Sequence, residues 1–212
     1  MLLICETFSS IQGESTRAGR KCFFIRLAGC SLDCSYCDTA YAKSGGAAMS
    51  VEALVELARA SKLDLVEITG GEPLEQPETP RLCRELLNAG FEVLLETNGA
   101  QPLDEVPVGT AKIVDCKLPS SKMDKYMLED NYALLGSGDE VKFVVGSRLD
   151  FDCATEVVRR CGLEKNGCEL LISPVWGAVD LPELAKWVME CDVPFRMQLQ
   201  MHRIIWGDRR GV

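Results

Sequence analysis

Histidine is almost missing from this sequence: His202 is the only one in 212 residues. Any metal site must therefore rest on sulfur or oxygen. Basic residues are in deficit too, 23 lysines and arginines against 32 acids, for a net charge of −9. A nucleic-acid footprint needs clustered cations to displace counterions, so no nucleic-acid partner is expected, whereas a small anion needs only a few local cations. No apolar stretch approaches the roughly 20 residues of a membrane span, so no membrane partner is expected either. The opening MLLICETFSSIQGE lacks a basic n-region and a small-residue cleavage site, which makes the cytoplasm the expected location. Internal repeats, low-complexity stretches and long linkers are all absent, so residues 1–212 read as a single domain, long enough to bury a core.

Cysteine, by contrast, is plentiful, with eleven residues. An odd count without a secretion signal argues against a disulfide framework and for reduced thiols, some of them metal ligands. Three stand close together in GCSLDCSYCDTAY, as Cys30-x3-Cys34-x2-Cys37. Thiolates suit iron–sulfur clusters, which ordinarily take four. A cluster held by three leaves one iron free for a small ligand. The rival is a zinc site built from these thiolates plus His202 or Asp38. It requires a distant fourth ligand and accounts for none of the polar residues described next. The remaining cysteines (5, 22, 83, 116, 153, 161, 168 and 191) have no compact ligand spacing and mostly read as small buried residues, with Cys161 and Cys168 the alternative pair for a second cluster.

The hydrophobic pattern alternates strands with helices. Strands are predicted at KCFFIRLAG, LDLVEITG, FEVLLETNG, AKIVDCKL, VKFVVGS and CELLISPVW, and a last one at PFRMQLQMH. Helices are predicted after Ser50, from Thr79 with Pro80 at the first position, around Asp152–Arg160, and from Asp180 with Pro182. AQPLDEVPVG is too short and proline-rich for a helix. Such alternation implies α/β architecture with a mainly parallel sheet of six to seven strands, curled by right-handed crossovers into a full or partial (β/α) barrel. Cys30, Thr69, Glu96, Asp115, Ser173 and Gln200 each fall at or near the C-terminal end of a predicted strand. In barrels of this kind those ends converge on one active face.

Cys-x3-Cys-x2-Cys, with Tyr36 before the last cysteine, resembles the signature of the radical S-adenosylmethionine superfamily, and Thr69-Gly70-Gly71-Glu72-Pro73 and Glu96-Thr97-Asn98-Gly99 follow in the superfamily's order. ETFSSIQGE (6–14), FIRLAGC (24–30), Cys37-Asp38-Thr39, DCKLP (115–119) and the terminal LQMHRIIWG make the chain similar, more narrowly, to the 7-carboxy-7-deazaguanine synthase family. Glycyl-radical-enzyme activases share the three cysteines and GGEP, and are the alternative within the superfamily.

The resemblance implies a single-domain partial (β/α) barrel of the radical SAM type that acts as a carbon–nitrogen lyase. Its cofactors would be a [4Fe–4S] cluster on Cys30, Cys34 and Cys37, S-adenosyl-L-methionine, and Mg2+. The reaction implied is radical ring contraction of 6-carboxy-5,6,7,8-tetrahydropterin to 7-carboxy-7-deazaguanine with loss of ammonia, in queuosine or another deazapurine pathway. S-adenosyl-L-methionine would meet Tyr36, Asp38, Gly71, Glu72, Glu96, Asp115, Lys117, Ser173, Pro174, Val175 and Trp176. The pterin would meet Ile11, Gln12, Gly13, Glu14, Arg26, Thr69, Gln200 and His202, with Arg203 nearby. Arginine suits a carboxylate because its planar fork offers paired hydrogen bonds. From the residues alone, Asp38-Thr39 reads equally well as a helix cap; the resemblance makes Thr39 the Mg2+ ligand. The partners implied are an electron donor such as flavodoxin and a second copy in a homodimer.

Overall fold

In the computed structural model, which describes all of residues 1–212, one nine-stranded sheet organises the chain in the order β3-β1-β2-β4-β5-β6-β7-β8-β9. From β2 (Lys21–Leu27) through β4 (Leu65–Gly70), β5 (Glu92–Thr97), β6 (Thr110–Cys116), β7 (Glu140–Val145), β8 (Glu169–Pro174) and β9 (Arg196–Met197), every neighbouring pair is parallel. These seven strands form the partial barrel expected from the alternation. Two strands extend it. β1 (Leu2–Ile11) runs antiparallel to β2, and β3 (Ala47–Met49) antiparallel to β1. β1 escapes the hydrophobic pattern because Glu6, Ser9 and Ser10 interrupt it, and its place is held by backbone pairing to β2.

The helices match their local signals. Ser50 accepts a hydrogen bond from the Ala53 N–H and caps α1 (Val51–Ser61), whose Val51, Leu54, Val55 and Ala58 are buried on one face. Glu78, not Thr79, occupies the cap position of α2 (Thr79–Asn88); the Thr79 hydroxyl instead donates to the Pro73 carbonyl at 2.6 Å. Together α1 and α2 cover the outer faces of β1, β2, β4 and β5 with Leu54, Leu82, Ile25 and Ile68 among the buried side chains. α3 (Arg148–Cys161) and α4 (Leu181–Glu190) cover β6 to β8 through Phe143, Phe151, Val158 and Trp187. No helix of the chain is long and apolar enough to cross a membrane.

The final segment differs from expectation. The strand predicted over PFRMQLQMH shrinks to Arg196–Met197, and Met201–Trp206 forms α5. The Gln198 N–H makes a last bond to the Ile172 carbonyl, after which Gln200 stands at the helix cap position. Gln200 and His202 thus approach the barrel mouth from a helix start.

Inside the barrel, side chains are layered by the two-residue period of the strands. Cys22, Phe24, Leu65, Leu94 and Ile113 form an apolar floor. Two residues beyond Phe24, Leu65, Leu94 and Ile113 come Arg26, Glu67, Glu96 and Asp115, which with Thr69 and Lys142 stand on the wall of one open cavity of about 720 Å³.

Candidate active site

The cavity opens at the C-terminal ends of the strands. Thr69, Glu96 and Asp115 are the penultimate residues of β4, β5 and β6, and the three cysteines enter from the loop after β2. Its wall carries Cys30, Tyr36, Cys34, Cys37, Asp38 and Thr39 from that loop, Ile11 to Glu14 from the end of β1, and Arg26 from β2. Gly71, Lys117, Pro174 to Trp176, Gln200, His202 and Arg203 complete the set that the sequence brings together. Glu72 and Ser173 are the exceptions. Both are buried and neither lines the cavity. Glu72 turns inward to accept hydrogen bonds from the Asn98 N–H (2.6 Å), the Thr97 hydroxyl (2.7 Å) and the Leu74 N–H (3.0 Å). Burial pushes its carboxyl up to about 7 even against those donors. Its role is to tie the β5 loop to the β4 loop.

Gly70 and Gly71 allow a close approach of backbone to backbone. A Cβ at Gly71 would stand 2.0 Å from the Gly29 carbonyl oxygen, and one at Gly70 would stand 2.4 Å from the Leu27 carbonyl oxygen. The Glu72 N–H then bonds the Gly29 carbonyl at 2.7 Å, and the Gly71 N–H bonds that of Leu27 at 3.0 Å. The space that Gly71 saves is therefore filled by the stem of the cysteine loop. On the other side, the Ser35 N–H reaches the Ser121 carbonyl, and Asn98 Nδ2 lies 3.7 Å from Cys30 Sγ.

The donor set fits an iron–sulfur cluster. All eleven cysteines are free of disulfides, and the three of the loop face the same cavity. Burial pushes the Cys30 and Cys34 thiols up, the Lys117 ammonium pulling Cys34 back, so metal binding would have to displace their protons. No three His, Cys, Asp or Glu side chains converge on a single point as one ion demands. A cubane takes each of the three thiolates on a different iron and leaves the fourth open, whereas a closed zinc site would require a fourth ligand beside them. Thr39 occupies the cap position before the 3₁₀ turn Ala40–Lys43 without capping it; its hydroxyl donates to Asp38 Oδ1 at 2.9 Å.

The charged tier is cross-linked. Lys142, buried on β7, donates to Glu14 Oε2 at 2.9 Å and to Glu96, and lies 3.9 Å from Asp115. Burial alone would raise the Glu96 carboxyl, but Lys142 and the Thr69 hydroxyl hold it down. Glu67 has no such cation in contact, and burial beside Glu96 pushes it well above the usual carboxylate range. Lys117 pairs with Asp115 at 2.5 Å. Arg26, stacked over Phe8, gives its Nε to Glu6 at 3.0 Å and leaves its two terminal nitrogens without a partner in the chain. Glu6 also accepts from the Tyr41 hydroxyl at 2.8 Å, and Arg210 lies over the Tyr41 ring at 4.0 Å.

Gly13 and His202 close the mouth. A Cβ at Gly13 would lie 2.4 Å from His202 Nδ1, the Met201 N–H bonds the Gly13 carbonyl, and Gln200 Nε2 donates to Glu14 Oε1 at 2.9 Å. Residues 206–212 continue along the wall. Lys142, Glu67 and Glu6 are residues to which the sequence reading gave no role. For Lys142 and Glu67 a signal existed: each is a lone charge between apolar neighbours in a buried strand, V-K-F and V-E-I.

A three-thiol loop at the mouth of a partial (β/α) barrel, above polar residues gathered at the strand ends, defines the class of radical S-adenosylmethionine enzymes, and the Radical SAM superfamily profile matches residues 24–107. A 7-carboxy-7-deazaguanine synthase of Koribacter versatilis is 38% identical, over 99% of both chains. One of Chlorobaculum tepidum is 40% identical over 100% of this chain and 97% of its own. The crystal structure of QueE from Escherichia coli shares the fold, with a TM-score of 0.81 at 24% identity over 95% of this chain and 94% of that one. The chain belongs to the 7-carboxy-7-deazaguanine synthase family.

Proposed function

We propose that the chain carries out the reaction its family is named for, converting 6-carboxy-5,6,7,8-tetrahydropterin to 7-carboxy-7-deazaguanine with loss of ammonia. The observation that carries this reading is the meeting, in one cavity, of the three thiols with the charged tier of Arg26, Glu96 and Lys142. Residues 1–212 act as one core domain. One-electron reduction and hydrogen-atom abstraction are the chemistry that the [4Fe–4S] cluster on Cys30, Cys34 and Cys37 and S-adenosyl-L-methionine supply when bound.

The chain's own residues bind, orient and shield. Tyr36, Asp38, Gly71, Glu96, Asp115, Lys117 and Pro174 to Trp176 would form the S-adenosyl-L-methionine side of the cavity. Thr39 would hold Mg2+ with a hydroxyl, leaving positions for water and substrate oxygens. Gln12, Gly13, Glu14, Thr69, Gln200 and His202 would enclose the pterin. Arg26 would meet its carboxylate: with Nε fixed by Glu6, the free terminal nitrogens present a preorganised fork. The tail beyond α5 lines the cavity and would limit water there. An electron donor of the flavodoxin kind, a homodimeric assembly and a cytoplasmic location complete the reading.

Anaerobic reconstitution should give a brown protein with about four irons per chain, as one cubane requires. Replacing Cys30, Cys34 and Cys37 together with alanine should abolish both the colour and cofactor cleavage. With substrate deuterated at C6, deuterium should appear in 5′-deoxyadenosine. Arg26→Ala should weaken pterin binding by an amount set by the roughly 2–5 kcal/mol cost of truncating a desolvated charge partner. Protein that cleaves S-adenosyl-L-methionine but ignores the pterin would refute the assignment of substrate.

A further inference from the structure

Glu67 is a buried acid that packing does not explain. It faces the barrel interior just above the apolar floor, its paired neighbours on β2 and β5 being Phe24 and Leu94. Gln12 reaches across from β1 and donates its amide N–H to Glu67 Oε2. Gln12 is itself fixed, since its amide oxygen accepts the Glu14 N–H at 2.9 Å. Oε1 of Glu67 bonds nothing in the chain, yet it is not among the sealed, unpartnered atoms as Asp115 Oδ1 is. It therefore opens into the cavity, whose wall Glu67 lines.

A charge count sets its protonation. Two cations face this tier, and both are engaged: Lys142 by Glu14 and Glu96, with Asp115 close by, and Arg26 by Glu6. A second buried carboxylate beside Glu96 would carry an uncompensated charge, so the favoured form is the neutral acid. The groups facing Glu67 agree. They are Cys22 and Arg26 on β2, Glu96 on β5, Lys142 on β7 and Glu14, and their balance, led by burial and Glu96, raises Glu67. Acceptors nearby are taken. Glu96 already receives Thr69 and Lys142, one on each oxygen. The acid proton of Glu67 has the cavity as its remaining outlet.

We propose that Glu67 is a specificity-determining residue, a neutral carboxylic acid held by Gln12 that donates a hydrogen bond to an acceptor atom of the pterin ring. Glu96, kept anionic by Lys142 and the Thr69 hydroxyl, stands beside it on the cofactor side of the same wall. Pairs of acids whose surroundings separate their protonation states are a recurrent means of dividing such roles. This inference rests on the pterin reading above.

The test is anaerobic calorimetric titration of the reconstituted holoenzyme, with S-adenosyl-L-methionine present, using 6-carboxytetrahydropterin as the probe. Glu67→Leu should weaken pterin binding by about 10- to 100-fold, because a buried acceptor on the ligand loses its donor. Glu67→Gln, whose amide N–H replaces the acid proton, should recover binding to within about threefold of the parent. Iron content and melting temperature of each variant report folding separately from binding. The parent should lose affinity as pH rises through the raised value of Glu67, since the donor exists only below it, whereas Glu67→Gln should be flat over the same range. Equal affinity of Glu67→Leu and parent overturns the inference while leaving the pterin reading intact. So does a Glu67→Gln variant as weak as Glu67→Leu. A parent that fails to bind the pterin overturns both.

Discussion

Replacing Lys142 with methionine removes the ammonium that ties Glu14 to Glu96. The side chain is 7% exposed, bonds Glu14 and Glu96 directly and sits 3.9 Å from Asp115. Methionine keeps much of the volume, so the loss is electrostatic and not a cavity. Removing one partner of a buried pair costs about 3–5 kcal/mol, because the carboxylates remain behind without compensation. At roughly 2–4 °C per kcal/mol for a chain of this size, the melting temperature should fall by about 6–20 °C at neutral pH. The pH dependence has a fixed sign. Glu96 is held well below its unfolded value of about 4.3, so its contribution is present above that pH and fades as pH falls toward about 2. The variant lacks this contribution throughout. Its deficit should therefore be largest near neutrality and shrink below about pH 4. Anaerobic thermal melts of the iron-free chain, at neutral pH and in steps down to about pH 3.5, would measure it. A deficit under about 1 kcal/mol at neutral pH, or one that grows with acid, would refute the role given to Lys142.

Three further outcomes follow from the geometry of the wall. Gly71→Ala places a Cβ 2.0 Å from the Gly29 carbonyl, where only backbone can yield, so the cysteine loop must shift; iron bound per chain after reconstitution should fall below half of the parent's. Thr39→Ala should flatten the response of turnover to Mg2+ while leaving the visible spectrum intact, because this hydroxyl caps no helix and bonds only Asp38. Gly13→Ala would press on His202 at both its ring and its backbone, so residues 203–212 should become more accessible to limited proteolysis than in the parent.

The parallel strands were legible because each carries a compact apolar run between turn signals, and the cysteine loop because its spacing is dense and local. β1 was not, since its inner positions include Glu6 and Ser10 and its identity comes from pairing with β2. The last strand was overread: PFRMQLQMH alternates like a strand, but only Arg196 and Met197 find a ladder beside β8. Within the cavity, most residues at strand ends were found from position alone. Glu72 was misplaced because a motif tells which loop a side chain belongs to and not which way it turns; three donors draw it away from the cavity. Gly71 was assigned to the cofactor, whereas its bare Cα first admits the Gly29 carbonyl. Lys142 becomes meaningful only when β7 is set beside β6, which brings it opposite Asp115 in the register.

The stem of the cysteine loop is bonded on several sides by backbone groups that are not iron ligands. Gly29 donates to Ala42 and accepts from Glu72, Ser35 donates to Ser121, and Cys37 donates to Cys34. Ordering one residue costs about 1–2 kcal/mol, so arranging the eight positions 30–37 in a slack loop would subtract on the order of 10 kcal/mol from metal affinity. Here most of that ordering is completed by folding itself. A zinc finger gains its shape from its metal and collapses when stripped. This chain should behave in the opposite way: a cluster lost to oxygen leaves a loop already close to its working shape, so the enzyme can be emptied and refilled without passing through an unfolded state.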